Sequence, residues 1–257
     1  MSLKSFFLPL NFDPEFKEGE IIEAGCELYN HMVKSLRMRS GDMLRLLDGG
    51  GLVSKARIKD IDRENKKVLL KLLSVDKAGG EPQTKIFIAQ ALGKKDKIEH
   101  VWQKATEIGA AGFFPVSTQH TVVELNSQKE KKRLKRWQKI IREAARQSER
   151  GKIPVLNSVL QLENLQSKFA NFDSVLIASA READYSISGL GQKGRLQTGD
   201  DILVLVGPEG GFSDREIRQI SQTENSFDIS LGPRILRTET AGPLITGLIL
   251  HEMGEME

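Results

Sequence analysis

Hydrophobic and polar positions alternate in the first third of the chain. Up to about residue 77, the segments 43–47, 52–61 and 68–75 repeat with a period close to two, which is typical of half-buried β-strands. The sequence Asp48-Gly49-Gly50-Gly51 separates two of these segments and predicts a hairpin-like turn. This part of the chain is therefore expected to form a small all-β unit.

Uninterrupted apolar runs replace the alternation beyond residue 82. Residues 86–92, 175–178 and 202–206 are such runs, and segments with a helical period lie between them. Apolar runs of this length are typical of strands that are buried on both faces of a parallel sheet. Strands that alternate with helices predict an α/β fold.

A polar stretch at residues 78–82, Ala-Gly-Gly-Glu-Pro, separates the two patterns. Glycine and proline in a polar setting indicate a linker. We therefore predict an N-terminal domain at residues 1–77, a linker at 78–82 and a C-terminal domain at 83–257. Two modest domains also suit a chain of 257 residues.

The strand at 202–206 runs into a glycine-rich turn, Gly207-Pro208-Glu209-Gly210-Gly211. Glycine permits positive φ and close backbone approach, and ligands of α/β sheets bind beyond the carboxyl ends of strands. Ser213 and Glu216 form the capping-box pattern that begins a helix. The turn lacks the lysine of a phosphate-binding loop and Glu209 would repel phosphate, so a neutral or cationic cofactor is expected. An ordinary strand-to-helix turn explains these glycines equally well.

A second strand and turn follow at residues 229–241 and favour the cofactor interpretation. Arg234 and Arg237 flank an apolar pair, which indicates either a solvated loop or two cations beside an apolar slot. The apolar segment 241–253 then predicts a closing helix, with Pro243 in its first turn. Two such turns in succession predict backbone that wraps around a small cofactor.

Composition excludes several classes of protein. The single cysteine, Cys26, excludes an intramolecular disulfide and fits a reducing, cytoplasmic compartment. No run approaches the roughly 18 apolar residues of a membrane span, and the N-terminus has no signal-peptide core, so neither a membrane nor secretion is expected. His100, His120 and His251 show no metal-ligand spacing, and no metal site is predicted.

A strongly basic segment occupies residues 129–142, with eight Lys or Arg residues against one acid, Glu130, although the whole chain carries a net charge of only +3. Its apolar and small residues follow helical spacing and would face a core: Leu134, Trp137, Ile141, Ala144, Ala145 and Ser148. The charges would then cover the outer face of a helix. Either solvation or phosphate contact explains such a face, and the surplus of charge favours phosphate contact.

Five motifs occur in order along the chain. They are His31 with 36–42, Lys94 and Asp96-Lys97 with 103–109, Trp137 with 143–150, the turn 207–213 and the turn 231–241. Together they resemble the ribosomal RNA small-subunit methyltransferase E family, which belongs to the SPOUT class of knotted methyltransferases. The chain departs from the family pattern at Lys95 and His120, where glycine and arginine are common, and at Gly242-Pro243.

The resemblance implies a fold and an activity. It implies a small N-terminal PUA-like β-barrel that binds RNA and a C-terminal parallel-sheet SPOUT domain with a trefoil knot. It further implies a homodimer that uses S-adenosylmethionine to methylate N3 of a specific uridine, of the uridine 1498 type, in bacterial 16S small-subunit ribosomal RNA within the assembled 30S subunit. Two alternatives stay open: a related enzyme acting on transfer RNA or another ribosomal base, and a non-catalytic RNA-binding ribosome assembly factor.

Roles for individual residues follow from the motifs together with this chemistry. Arg237 is the catalytic candidate that would stabilise the developing anion at N3, and Glu239 would orient it or accept the proton, with Glu209 as an alternative base. The expected cofactor-binding residues are Gly207, Pro208, Glu209, Gly210, Gly211, Leu231, Gly232, Ile235, Leu236 and Thr240. The expected RNA-binding residues are His31, Arg37, Arg39, Lys94, Lys97, Lys132, Arg136 and Arg150.

Overall fold

The chain divides into two compact units. The structure is a computed structural model that describes residues 3–9, 16–93, 97–121, 127–179 and 183–256. The first unit runs up to Glu81 and includes Ala145–Ile153, and the second comprises Pro82–Ala144 with the chain from Pro154 onwards. The change of unit after Glu81 lies within the predicted linker. Residues 145–153, which the sequence analysis assigned to the C-terminal domain, belong to the first unit, where Ala145 shares an apolar cluster with Phe7 and Leu47.

Within the described residues, five strands form the sheet of the first unit, in the order β1-β3-β4-β5-β2. They are β1 (Ser5–Phe7), β2 (Ile21–Ala24), β3 (Met43–Leu47), β4 (Leu52–Asp62) and β5 (Lys67–Lys77). The alternating segments thus form antiparallel strands, while β1 pairs with β3 in parallel. The predicted turn joins β3 to β4, where one carboxylate oxygen of Asp48 accepts hydrogen bonds from the N–H groups of Gly50 and Leu52, each at 2.8 Å.

The first unit also contains helical structure, so the expectation of an all-β unit was wrong. Helix α1 (Cys26–Tyr29) continues into a π-helical segment, Asn30–Ser35, between β2 and β3. Leu28, Tyr29 and Met32 are buried in the same core as the strands. Ten helical residues are too few for a helical period to stand out among alternating strands, which is why the sequence pattern missed them.

In the described part of the second unit, seven parallel strands form the sheet, in the order β12-β10-β11-β6-β7-β8, with β9 also paired to β7. They are β6 (Lys85–Ala91), β7 (Gly112–Ser117), β8 (Val155–Leu156), β9 (Leu160–Gln161), β10 (Ser174–Ser179), β11 (Asp201–Val206) and β12 (Ser226–Ser230). The predicted parallel α/β sheet is confirmed. Strand β10 lies between β11 and β12, so the strands that lead into the two glycine turns are not adjacent.

Six α-helices and a short 3₁₀ segment, Phe169–Asn171, are described after residue 96. The helices are α2 (Lys97–Ile108), α3 (Ser127–Gln147), α4 (Leu162–Gln166), α5 (Ile187–Gln192), α6 (Asp214–Ile220) and α7 (Thr238–Glu252). In the described ranges, no helix combines the length and the apolar character needed to cross a membrane.

Helix α7 begins three residues earlier than predicted. Pro243 therefore lies in its second turn and not in its first. Proline has no N–H to donate to the carbonyl four residues earlier, which is that of Glu239. The polar sequence Thr-Glu-Thr at the start of α7 hid the boundary, because the apolar pattern begins only at Ala241.

Candidate functional site

The carboxyl ends of β10, β11 and β12 bound a cavity of about 500 Å³. Strand β11 leads into the first glycine turn and β12 leads into the second, and both turns line the cavity. Strand β10, between them, contributes Ile177, Ala178 and Ser179 to its wall. The cavity thus lies where ligands of open parallel sheets bind.

The first turn depends on its glycines for two different reasons. A Cβ atom at Gly207 would lie 3.2 Å from the Cα atom of Gly211, so a side chain there would push the turn open. Gly211 has a φ of +70°, which disfavours residues with a side chain. Its N–H donates to the carbonyl of Pro208 at 2.8 Å, and its own carbonyl lies 3.1 Å from Nδ1 of His120. These contacts hold the turn closed.

The predicted capping box anchors the end of the same turn and is confirmed. The hydroxyl of Ser213 accepts from the N–H of Glu216 at 3.3 Å, and the Glu216 carboxylate accepts from the N–H of Ser213 at 2.8 Å. The second oxygen of Glu216 accepts from the N–H of Gln119 at 2.8 Å. Glu216 is only 5% exposed. Through these two hydrogen bonds it connects the start of α6 to the segment that follows β7.

The second turn supplies much of the apolar surface of the cavity. Leu231, Ile235 and Leu236 line it, and Gly232 has a φ of +90°. Ile235 is 81% exposed, an unusual position for a large apolar side chain. Such a side chain can cover a bound cofactor or contact a substrate at the mouth of the cavity.

Four charged side chains gather beside the apolar wall. The ammonium of Lys97 lies 2.9 Å from a carboxylate oxygen of Glu209 and 3.8 Å from Oε2 of Glu239. The guanidinium of Arg237 lies 3.9 Å from the other oxygen of Glu239. The hydrogen bond to Glu209 raises the pKa of Lys97, so this cation stays charged. Oε2 of Glu239 is buried and accepts no hydrogen bond from the described part of the chain.

The cavity brings together most residues that the sequence motifs assigned to it. Those that line it are Gly207, Pro208, Glu209, Gly210, Gly211, Leu231, Gly232, Ile235, Leu236 and Arg237. Thr240 is exposed and is not among the lining residues, whereas Thr238 is. The β10 residues and Thr238 were missed. The signal for β10 was present, since residues 175–178 were predicted to form a strand of the same sheet.

Comparison with known proteins identifies the family. Residues 80–250 match the family model for the RNA methyltransferase domain, and residues 24–71 match that for the RNA methyltransferase PUA domain. Ribosomal RNA small subunit methyltransferase E of Bacillus subtilis (strain 168) is 31% identical over 243 residues, which is 93% of each chain. The chain belongs to the ribosomal RNA small subunit methyltransferase E family.

Solved structures of similar proteins agree with this assignment. A Legionella pneumophila chain, described as a methyltransferase in complex with the cofactor SAM, is 30% identical with a TM-score of 0.84, and the match covers 98% of both chains. Ribosomal RNA small subunit methyltransferase E from Neisseria gonorrhoeae, bound to S-adenosyl methionine, is 25% identical with a TM-score of 0.83 over 97% of this chain and 98% of that one. The predicted fold class, an α/β domain with an N-terminal PUA domain, is thereby confirmed, and the trefoil knot stays a prediction.

Helix α3 carries the basic face that the family interpretation links to RNA. Trp137 and Ile141 are buried, as the helical spacing predicted, and Lys132 is exposed on the opposite side. A guanidinium nitrogen of Arg136 lies 2.6 Å from a carboxylate oxygen of Glu99, yet 60% of the Arg136 side chain is exposed. Both basic side chains can therefore reach a phosphate.

The first unit holds three further predicted RNA contacts of this methyltransferase E homologue. His31 lies in the π-helical segment and packs edge-on against Phe6, with ring centroids 5.3 Å apart. Arg37 is exposed and has a φ of +54°, and Arg39 is exposed beside it. Lys94, the remaining predicted contact near the strand end, lies outside the described residues.

Arg150 differs from the other predicted RNA contacts because it is buried. Its side chain is 6% exposed and lies 2.8 Å from a carboxylate oxygen of Glu81. Glu81 also accepts from the N–H of Lys152 at 3.0 Å. Burial acts to raise the pKa of Glu81, but the hydrogen bond and charge of Arg150 outweigh it and hold the pKa below its usual value. This placement favours a structural role for Arg150 over the predicted RNA contact.

Proposed function

We propose that this protein transfers a methyl group from S-adenosylmethionine to N3 of a uridine in the small-subunit ribosomal RNA. The observation that carries the proposal is the cavity formed by the two glycine turns, with a cation and a carboxylate, Arg237 and Glu239, at its edge. Membership of the methyltransferase E family supports it, as do two similar structures described with this cofactor.

The residues of the cavity fit S-adenosylmethionine. Its volume of about 500 Å³ falls within the usual range for small-molecule sites, roughly 300–1,000 Å³. Ile177, Leu231 and Leu236 offer apolar surface for the adenine ring, and the glycine turn brings backbone polar groups close. The carboxylate of Glu209 suits a cofactor that carries positive charge and would disfavour one with a phosphate chain.

Arg237 is placed to act on the base. When bound, S-adenosylmethionine supplies an electrophilic methyl group on a cationic sulfur. Uridine N3 must lose its proton and bond to the methyl carbon, and the sulfur keeps the electron pair of the broken bond. The Arg237 side chain is 82% exposed, so its guanidinium can approach the uracil ring and stabilise the negative charge that develops on N3 and its neighbouring carbonyl oxygens.

Glu239 is the better of the two candidates for accepting the N3 proton. Glu209 already accepts a hydrogen bond from Lys97 at 2.9 Å, which occupies one of its carboxylate oxygens. Oε2 of Glu239 has only the more distant Lys97 ammonium, at 3.8 Å, and no hydrogen bond from the described chain. The partly exposed Glu239 carboxylate lies beside Arg237 at the edge of the cavity, where it can accept the proton from the substrate.

RNA binding would rest on exposed cations in each unit. In the second unit, Lys132 and Arg136 would contact phosphates, and in the first unit Arg37 and Arg39 would do the same. The target base must be unpaired during the reaction, because a Watson–Crick partner blocks N3. The assembled small subunit is the proposed substrate, since only folded RNA presents one uridine in a fixed arrangement. A cytoplasmic location follows from that substrate.

A homodimer through helix α7 completes the proposal. Leu244 and Leu248 are four residues apart on one face of α7, and each is 39% exposed. Apolar side chains at this spacing suit packing against a second copy. Replacing both with Asp should convert a dimer to a monomer in size-exclusion chromatography with light scattering. An unchanged mass would contradict this interface.

The function is tested by methylation of defined substrates. Small subunits and free small-subunit RNA from cells lacking the gene are incubated with the protein and labelled S-adenosylmethionine. Mass spectrometry of RNA fragments and reverse-transcription stops then locate the modification, because an N3-methyl group blocks base pairing. We expect Arg237→Ala to abolish methylation and to retain cofactor binding in calorimetry. Arg218→Ala, an exposed arginine of α6 outside the cavity, is the matched control.

The outcomes separate the alternatives. Methylation of transfer RNA or of another ribosomal base would replace the proposed target while keeping the chemistry. Binding of small subunits without cofactor binding or methylation would support a non-catalytic assembly factor. Full activity of Arg237→Ala would refute the role of Arg237.

A further inference from the structure

A partly buried chain of hydrogen bonds links three elements that surround the cavity. The side-chain nitrogen of Gln90 donates to the hydroxyl of Thr238 at 2.8 Å, and that hydroxyl donates to the carbonyl of Gly207 at 2.7 Å. Gln90 lies at the carboxyl end of β6, Gly207 begins the first glycine turn, and Thr238 is the first residue of α7. Gln90 is 1% exposed.

The direction of this chain is fixed by its chemistry. A backbone carbonyl such as that of Gly207 can only accept, so the single hydroxyl proton of Thr238 must point at it. The Thr238 oxygen then accepts, and Gln90 must supply the donor. The other side-chain atom of Gln90, Oε1, is buried and accepts no hydrogen bond within the described residues. A buried oxygen without a partner is unfavourable and calls for an explanation, and the hydrogen bond donated by the same side chain supplies one.

Thr238 adds a side-chain hydrogen bond to the backbone bonds that hold the start of α7. Arg237, the N-cap residue of α7, makes no side-chain capping bond. Pro243 cannot donate to the carbonyl of Glu239, so one hydrogen bond of a regular helix is missing from this region. The hydrogen bond from Thr238 to Gly207 therefore joins the first turn of α7, next to Arg237 and Glu239, to the cofactor turn.

The glycine turn has restraints of its own that do not involve Thr238. The N–H of Gly211 donates to Pro208 at 2.8 Å, and the capping box of Ser213 and Glu216 fixes the end of the turn. Loss of the Thr238 hydroxyl should consequently displace the first turn of α7 and leave the cofactor turn nearly unchanged. The first turn of α7 and the cofactor turn should therefore respond differently to loss of the Thr238 hydroxyl.

We infer that Gln90 and Thr238 are positioning residues for methyl transfer, which set the place of Arg237 and Glu239 relative to the cofactor turn. The inference rests on the proposed function for its kinetic consequence. Neither side chain needs to touch the substrate. A displacement of about 1 Å in a catalytic group can cost on the order of 100-fold in rate, so the chain predicts an effect on kcat and not on cofactor affinity.

Four variants test the chain. Thr238→Val keeps the shape of the side chain and removes the hydroxyl, and Thr238→Ser restores the hydroxyl. Gln90→Glu is isosteric but reverses the polarity, because a carboxylate draws the Thr238 proton away from Gly207. Gln90→Met removes the donor altogether. We expect Thr238→Val and Gln90→Glu to lower kcat about 10- to 100-fold, with the KM for S-adenosylmethionine changed less than about threefold, and Thr238→Ser to recover most of the rate.

Hydrogen exchange gives a readout that is independent of activity. In Thr238→Val, amides at 237–242 should exchange faster, while those at 207–213 should be unchanged. If the unaltered protein shows no methylation, the proposed function is refuted. Hydrogen exchange alone then decides whether Thr238 positions the start of α7. If Gln90→Glu does not fold, the Thr238→Val and Thr238→Ser pair decides alone. A kcat within twofold of the unaltered protein, a cofactor affinity that falls in step with kcat, or equal exchange in both segments would overturn the inference.

Discussion

Removal of one partner from the buried Arg150–Glu81 pair should destabilise the protein far more than removal of both. The two side chains are 6% and 13% exposed, so Arg150→Met leaves a carboxylate in the interior with only the Lys152 N–H as a donor. Breaking a buried pair in this way costs about 3–5 kcal/mol. For a chain of this size, that corresponds to a fall in Tm of roughly 6 °C or more. The double variant Arg150→Met with Glu81→Gln should regain most of the loss, because a neutral amide still accepts from Lys152.

The pH dependence of the stability should have opposite signs in the unaltered protein and in Arg150→Met. In the unaltered protein the pKa of Glu81 is lowered from 4.5, so its ionised form stabilises the fold above that value, and the contribution is lost as pH falls through the folded pKa. Without Arg150, burial would raise the pKa, and stability would instead fall as pH rises. Thermal unfolding followed by circular dichroism between about pH 2.5 and pH 7 measures both effects. An unchanged Tm for Arg150→Met together with weaker RNA binding would refute the structural role and restore the RNA contact.

Three other substitutions test separate parts of the structure. Gly207→Ala places a Cβ 3.2 Å from the Cα of Gly211, and calorimetry should show S-adenosylmethionine binding weakened about tenfold or more, by roughly 1.4 kcal/mol. Lys132→Ala should reduce the slope of log affinity for RNA against log salt by about one in fluorescence anisotropy, whereas Lys168→Ala, an exposed lysine outside the basic helix, should not. Burial raises the pKa of Asp228 above 3.8, so its ionised form opposes folding, and stability falls as pH rises through the folded pKa. Asp228→Asn should abolish that fall in thermal unfolding between pH 4 and pH 8, and an unchanged pH profile would contradict it.

Local patterns along the chain were sufficient for much of the fold. Runs of apolar residues predicted the parallel strands because burial on both faces leaves no polar positions, and Ser213 with Glu216 predicted the start of α6 because capping is a local interaction. The start of α7 was not predictable in this way. The hydroxyl of Thr238 donates a hydrogen bond to the carbonyl of Gly207, 31 residues earlier in the chain, and no local pattern contains that partner.

The same distinction explains which site residues were found. The glycine turns were found because glycine has a local conformational meaning, as the positive φ of Gly211 and Gly232 shows. Lys97 was assigned to RNA from its motif and its place after an apolar strand, whereas its partners in the structure, Glu209 and Glu239, come from distant segments. Arg150 was assigned to RNA from its motif, and its burial against Glu81, which depends on tertiary packing, favours a structural role instead.

The distribution of exposure around the cavity separates its two tasks. Groups that shape the cofactor side are buried, with Ile177 2% and Glu216 5% exposed, and Glu216 accepts a hydrogen bond from the N–H of Gln119. Groups on the substrate side are exposed, with Ile235 at 81% and the side chain of Arg237 at 82%. A small cofactor of constant shape is best bound by a preorganised site. A base presented by a large RNA brings its own surroundings, so the residues that meet it can be ordered by the substrate itself. Hydrogen exchange at the Arg237 amide should therefore slow little when cofactor binds and markedly when the small subunit is added.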